Sequence, residues 1–222
     1  MGAALLALAL ALAGPAQGVT PLGQTFVPNT PTSCAGGPDW EVFNSTASYT
    51  VPQNGVLTSW SFDAGPQQTV LTLRVFRPAS PGAYTVVADG GPLQTVAASS
   101  GLHTFPTRVP VRSGDYIGIH STAGNCSKPS PTTPYLFRIG NATPVGGTAV
   151  YTPNSSELFD VAASLEPDVD GDGYGDETQD ACPASALAQT ACPAPETKVK
   201  GKVHPQAAKT KLELRSSIAG ST

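Results

Sequence analysis

Between about residues 19 and 165, apolar and polar side chains alternate in short runs. Gly, Pro, Asn or Asp breaks the pattern every eight to twelve residues or so. A period of two sets one face of a strand against a core and the other against solvent. Residues 55–62 place Val56, Thr58, Trp60 and Phe62 on one face and Leu57, Ser59 and Ser61 on the other. Residues 69–77 gather Leu71, Leu73 and Val75 opposite Thr72, Arg74 and Phe76. Further strands are predicted at 24–27, 41–43, 84–88, 93–97, 103–111, 115–120, 135–139, 149–151 and 158–164, and no stretch of this region sustains a helical period. The pattern predicts an all-β fold, a two-sheet antiparallel β-sandwich of jelly-roll type over residues 19–165. A segment of that length is long enough to bury one core of this kind.

The run Val109-Pro-Val-Arg-Ser-Gly-Asp-Tyr-Ile-Gly-Ile119 resembles a hairpin found in extracellular jelly-roll and carbohydrate-binding-like sandwiches. Gly114 and Asp115 are expected to turn it, with Ile117 and Ile119 directed into the core. Such a hairpin identifies a shape and not a ligand.

The alternation ends at Asp168-Val-Asp-Gly-Asp-Gly-Tyr-Gly-Asp-Glu-Thr-Gln-Asp180. Counting from Asp168, carboxylates fall at the first, third, fifth and ninth places as Asp168, Asp170, Asp172 and Asp176. The carbonyl of Tyr174 falls at the seventh and Gly173 at the sixth, where a metal-wrapping loop turns sharply. Alternate oxygens aimed inward suit calcium (Ca2+), which takes six to eight oxygens at about 2.3–2.6 Å; magnesium demands a tighter octahedron and keeps its waters. The twelfth place of an EF-hand loop should be a bidentate carboxylate, but here it is Gln179, and Asp180 stands one place later. Pro167 also steers Glu166 away from helical dihedrals, so no incoming helix is expected.

With the following Ala181-Cys182-Pro183, the stretch resembles a thrombospondin type 3 repeat, over roughly one repeat. The resemblance implies a calcium-filled connector over residues 166–193, with Asp168, Asp170, Asp172, Asp176 and the displaced Asp180 as ligands. Seven carboxylates and no basic residue lie between Glu166 and Asp180. On charge alone that describes a solvated acidic linker; glycine at the turn position favours the metal loop.

Residues 1–18 carry the apolar run 3–13 and small residues at Ala16 and Gly18, the pattern of a secretory signal peptide too short to span a membrane. The run lacks a preceding Lys or Arg, so the start of translation is expected upstream. Four cysteines in an exported chain predict two disulfides, for which three connectivities exist. The pairing Cys34–Cys126 closes a long loop within the sandwich, and Cys182–Cys192 clips the segment after the acidic loop. Residues 194–222 turn basic, and 195–199 and 209–217 look like the first strands of a bacterial immunoglobulin-like module that continues past Thr222. An unstructured basic tail is the alternative.

The sixteen acidic and twelve basic residues argue against a nucleic-acid partner, and their basic excess is confined to the C-terminal end. No H-E-x-x-H, G-x-S-x-G or phosphate-binding G-x-x-x-x-G-K-[ST] occurs. His103, His120 and His204 are too scattered for a zinc site, and the first two are expected as hydrogen-bonded structural groups. Trp40 and Trp60, with Tyr49, Tyr84 and Tyr135 behind them, are the candidates for a sugar-stacking platform. Trp60 shares a face with Phe62 and is expected in the core, whereas Trp40 follows Gly36-Gly37-Pro38-Asp39 in a predicted loop.

Two functional readings follow. One is a non-catalytic, secreted or surface-attached monomeric module with a calcium-stiffened spacer, contacting an extracellular glycan or cell-wall component. The other is a carbohydrate-active protein, either a lectin-like module or a jelly-roll glycoside hydrolase. No transmembrane segment is expected after cleavage of the signal.

Overall fold

The alternating runs form antiparallel strands in the computed structural model, which describes residues 18–28, 34 and 39–193. Within these lie β1 (Thr20–Gln24), β2 (Trp40–Asn44), β3 (Gly55–Ala64), β4 (Thr69–Ser80), β5 (Ala83–Asp89) and β6 (Gln94–Val96). They are followed by β7 (Gly101–Val111), β8 (Tyr116–Ala123), β9 (Ser127–Ile139), β10 (Thr148–Val150), β11 (Thr152–Phe159) and β12 (Val161–Glu166). The smaller sheet has the order β1-β12-β3-β7, and the larger β10-β5-β4-β8-β2-β9-β11 with β6 pairing β4. The fold is the predicted all-β sandwich.

Its core is filled from both inner faces. Leu22, Leu57, Trp60, Phe62, Val109, Val161 and Leu165 of the smaller sheet meet Val42, Leu71, Leu73, Val75, Ile117 and Ile119 of the larger. Full burial of each such side chain contributes about 1.5–3 kcal/mol. A second cluster on the outer face of the larger sheet gathers Phe43, Phe76, Val86, Leu136 and Tyr151. Beside it Arg74 is buried, pairing with Glu41 and, at 2.6 and 3.0 Å, with both oxygens of Asp89. Glu41 also accepts from Thr143 N and Oγ1 and from the hydroxyl of Tyr151, so this interior charge is fully hydrogen-bonded.

The faces of β4 are those the alternation predicts: Leu71, Leu73 and Val75 in the core and Phe76 in the second cluster. Those of β3 are not. Its register against β7 shifts between Leu57 and Ser59, a β-bulge that turns Leu57 into the core with Trp60 and Phe62. Thr58 is turned away and donates its hydroxyl to Glu166 at 2.8 Å.

The predicted strand 158–164 is two strands in different sheets. β11 belongs to the larger sheet and β12 to the smaller, with Asp160 between them. Side chains hold this corner: Asn44 Oδ1 accepts Phe159 N at 3.0 Å, and the Tyr49 hydroxyl donates to Phe159 O at 2.6 Å. Asp160, fully buried, accepts Phe26 N at 3.2 Å and Asp63 N at 3.3 Å. Those bonds also explain why β1 ends at Gln24 while residues 25–27, predicted as strand, leave the sheet.

β9 starts eight residues before the predicted 135–139, at Ser127. Pro129 and Pro134 fall in the half that pairs with β11 alone, so the missing N–H groups face no other strand. Both disulfides are those predicted, Cys34–Cys126 and Cys182–Cys192. The chain divides into two compact units between Cys192 and Pro193, so the acidic stretch belongs with the sandwich. Residues 1–17 and 194–222, where the export signal and the immunoglobulin-like strands are predicted, lie outside the described residues.

Candidate metal centre

The acidic loop begins where β12 ends. Glu166, the last residue of that strand, is buried, and its carboxylate collects donors from both sides. Thr58 Oγ1 reaches Oε1 from the sandwich, and Thr178 Oγ1 reaches the same oxygen from the loop at 2.7 Å. Oε2 accepts Glu177 N at 3.0 Å and Thr178 N at 2.9 Å. Burial works to raise the Glu166 pKa, but these bonds to the charged form outweigh it and hold the carboxyl below its ordinary value. Gly175 sits against this carboxylate, where a Cβ would stand 2.5 Å from Oε2 and from Thr58 Cγ2.

Other contacts fasten the loop to edge strand β7. Gln179 Nε2 donates to Thr107 O at 2.7 Å, and the Arg108 guanidinium lies 4.0 Å from the Tyr174 ring centroid. Gln179 therefore faces the sandwich, consistent with its being no carboxylate ligand. Gly171 and Gly173 take left-handed dihedrals, with φ of 77° and 85°, and turn the chain at both positions.

These turns bring ligand oxygens of Asp168, Asp170 and Asp172 within 4.8 Å of one another. Backbone N–H groups orient each carboxylate. Asp168 Oδ2 accepts Gly173 N at 3.1 Å, Asp170 Oδ1 accepts Asp172 N at 3.2 Å, and Asp180 Oδ1 accepts Cys182 N at 2.7 Å. The opposite oxygens, Asp168 Oδ1, Asp170 Oδ2 and Asp180 Oδ2, are buried and have no hydrogen-bond partner among the described residues. Asp172 spends both oxygens, on Tyr174 N and Gln189 Nε2, each at 2.9 Å. Asp176 accepts Val169 N. Its pKa is raised, first by burial and then by the charges of Asp168, Asp170 and Asp180. The displaced Asp180 thus lies close enough for its charge to act on Asp176. Oxygen-rich, acidic and free of nitrogen or sulfur donors, this set suits a hard cation such as calcium.

The other candidates are dispersed. Trp60 is 1 % exposed and packs on Phe105, inside the core as expected. Trp40 opens β2 instead of lying in a loop; half-buried, it stacks on Phe137 at 5.9 Å. Tyr49 is interior, and Tyr84 and Tyr135 pack against Phe43 and Phe159. Phe137 lies between Trp40 and Tyr135, 5.9 Å from each ring centroid, and the described residues bring none of the other candidate rings to that pair. His103 bonds Ser100 at 2.7 Å and His120 bonds Asp39 at 3.3 Å, each in a structural setting; His204 lies outside the described residues.

Glu166 was not legible as an anchor, because in sequence it is one of seven neighbouring acids. Thr178 and Gln189 carried no signal either. Searches against family models, curated proteins and solved structures found nothing that matches this chain, leaving its own geometry to carry the functional argument.

Proposed function

We propose that this chain is a non-catalytic, exported β-sandwich whose 168–180 loop binds calcium in the manner of a thrombospondin type 3 repeat. Asp168, Asp170, Asp172, Asp176 and Asp180 and the Tyr174 carbonyl supply the oxygens. The observation that carries this reading is the set of three buried carboxylate oxygens without partners. An unpaired buried carboxylate oxygen is costly, and a cation shared among several removes that cost. Because the loop is bonded to Thr58, Thr107 and Arg108 through Glu166, Gln179 and Tyr174, the metal acts as a clasp on the wall of the sandwich as well as a stiffener of the chain beyond it. The sandwich then presents a fixed surface to an extracellular glycan or cell-wall component.

Absence of catalysis is supported by the commitment of the interior carboxylates. Asp160 and Glu41 are wholly buried, Asp160 at the sheet corner and Glu41 against Arg74, so neither can meet a substrate in the way a glycosidase acid pair must. Two disulfides fit an oxidising compartment.

The test is a calorimetric calcium titration of the full chain with its disulfides intact, beside the double variant Asp170→Ala, Asp172→Ala. Saturable heat in the parent that the variant loses is expected. An absence of heat and of thermal stabilisation at millimolar calcium would overturn the assignment.

A further inference from the structure

At the end of the sandwich nearest the acidic loop lies a cleft of about 400 Å³, within the range of small-ligand sites. Its polar lining is built around a buried acid. Asp115, 1 % exposed, accepts Arg77 Nε and Nη2 at 2.7 Å each and also Arg112 N at 2.8 Å. One interior carboxylate therefore fixes the Arg77 guanidinium and the backbone beneath Arg112. The pairing leaves Arg77 Nη1 unengaged, and the Arg112 guanidinium has no hydrogen bond or ion pair among the described residues. Asn54 turns its Oδ1 to Ser113 N at 3.0 Å, so its amide hydrogens are left for a ligand. These three side chains offer the cleft donors, beside the apolar Val87 and Pro110.

We propose that this cleft binds a uronic acid, the carboxylate-bearing sugar of an acidic glycan. Two guanidiniums and an amide match a carboxylate and its neighbouring hydroxyl, since charge-assisted bonds from arginine are both strong and directional. Val87 and Pro110 match the C–H face of a pyranose ring. Among the described residues, the one acidic side chain on the lining is Asp168, the first carboxylate of the metal loop. This coupling rests on the calcium reading: a cation on Asp168 cancels the charge that would repel the ligand, so calcium and uronate strengthen each other's binding, and by equal factors.

The experiment is calorimetry on the full chain with methyl glucuronide, against methyl glucoside, which lacks only the carboxylate, and against acetate. Arg112→Glu is the variant, chosen because the Arg112 side chain is exposed and unpartnered among the described residues, so that its loss should leave the fold intact. With calcium present, the glucuronide should bind, the glucoside should not, and Arg112→Glu should weaken binding at least about tenfold with an unchanged Tm. Removing calcium with EDTA should weaken it about threefold or more. The proposal is overturned if the glucuronide fails to bind at millimolar concentration, if glucoside or acetate binds as well, or if Arg112→Glu has no effect. Calcium heat without glucuronide binding would remove the cleft and leave the metal reading standing. Arg112-dependent glucuronide binding without calcium heat would remove the metal reading and its coupling, and leave the cleft.

Discussion

Thr178 binds the carboxylate of Glu166 twice, through Oγ1 at 2.7 Å and through its backbone N–H at 2.9 Å, and so joins the far side of the acidic loop to the last strand of the sandwich. Residues that look like mutually repelling charges in sequence are here divided between an anchor, Glu166, and the carboxylates of the proposed metal loop.

Replacing Glu166 with Gln keeps the shape but turns an amide donor toward groups that are themselves donors. Hydrogen bonds to a charged group contribute about 1.5–3 kcal/mol each, and losing one such bond is the expected cost to stability. Urea unfolding would measure it, with calcium affinity falling in parallel because the loop is no longer held. The depressed pKa of Glu166 sets a sign as well: its contribution is present above the ordinary carboxylate pKa and is lost as pH falls through the lower native value.

Asp160 acts in the opposite direction. Burial pushes its carboxyl up to about 8, with the Asp63 charge adding to the rise and the N–H groups of Phe26 and Asp63 opposing it. In the unfolded chain an aspartate titrates near about 3.9, so between these values the native state holds more protons. Stability should therefore fall as pH rises from about 4 to about 8 and level off above that range. Comparing Tm at pH 5 and pH 9 tests this, and Asp160→Asn should flatten the difference.

Calcium should stabilise the sandwich itself as well as the loop, because Glu166, Gln179 and Tyr174 tie the two together. For a dissociation constant of about 0.1 mM, 2 mM calcium adds about 2 kcal/mol. A Tm that rises with calcium in the parent and not in Asp170→Ala would bear this out; a calcium-independent Tm would contradict it.

The two disulfides should separate in their effects. Cys34–Cys126 spans 92 positions, and its replacement by serines should destabilise the sandwich by about 3–5 kcal/mol. Cys182–Cys192 closes a short loop beside the acidic stretch, where Cys182 N donates to Asp180. Its loss should lower calcium affinity severalfold while the near-ultraviolet signal of the buried Trp60 persists.

Where a feature depends on neighbours along the chain, it could be read without coordinates. The strand pattern of residues 69–77, the turn at Gly173 and the oxygen spacing of the acidic loop are of this kind. Thr58 and Asp160 are the contrary cases. Nothing local announces a bulge at Thr58, because its cause is the register between β3 and β7 and the carboxylate of Glu166 more than a hundred positions away. Asp160 sits between the apolar pairs Leu158-Phe159 and Val161-Ala162, and only Phe26, Asp63 and the Tyr49 and Asn44 contacts around it make a corner there.

By itself the sequence determined the all-β class, the alternation of β4 and the carboxylate ladder, since each follows from side-chain periods of two within a few residues. Tertiary structure alone decided which acids are free to hold a metal, which one is an anchor, and that Arg77, Arg112 and Asn54 border a common cleft with Asp168. Those outcomes depend on which hydrogen-bond donors the folded chain brings to each carboxylate, and donors from Thr58, Thr178 and Arg77 arrive from distant strands and turns.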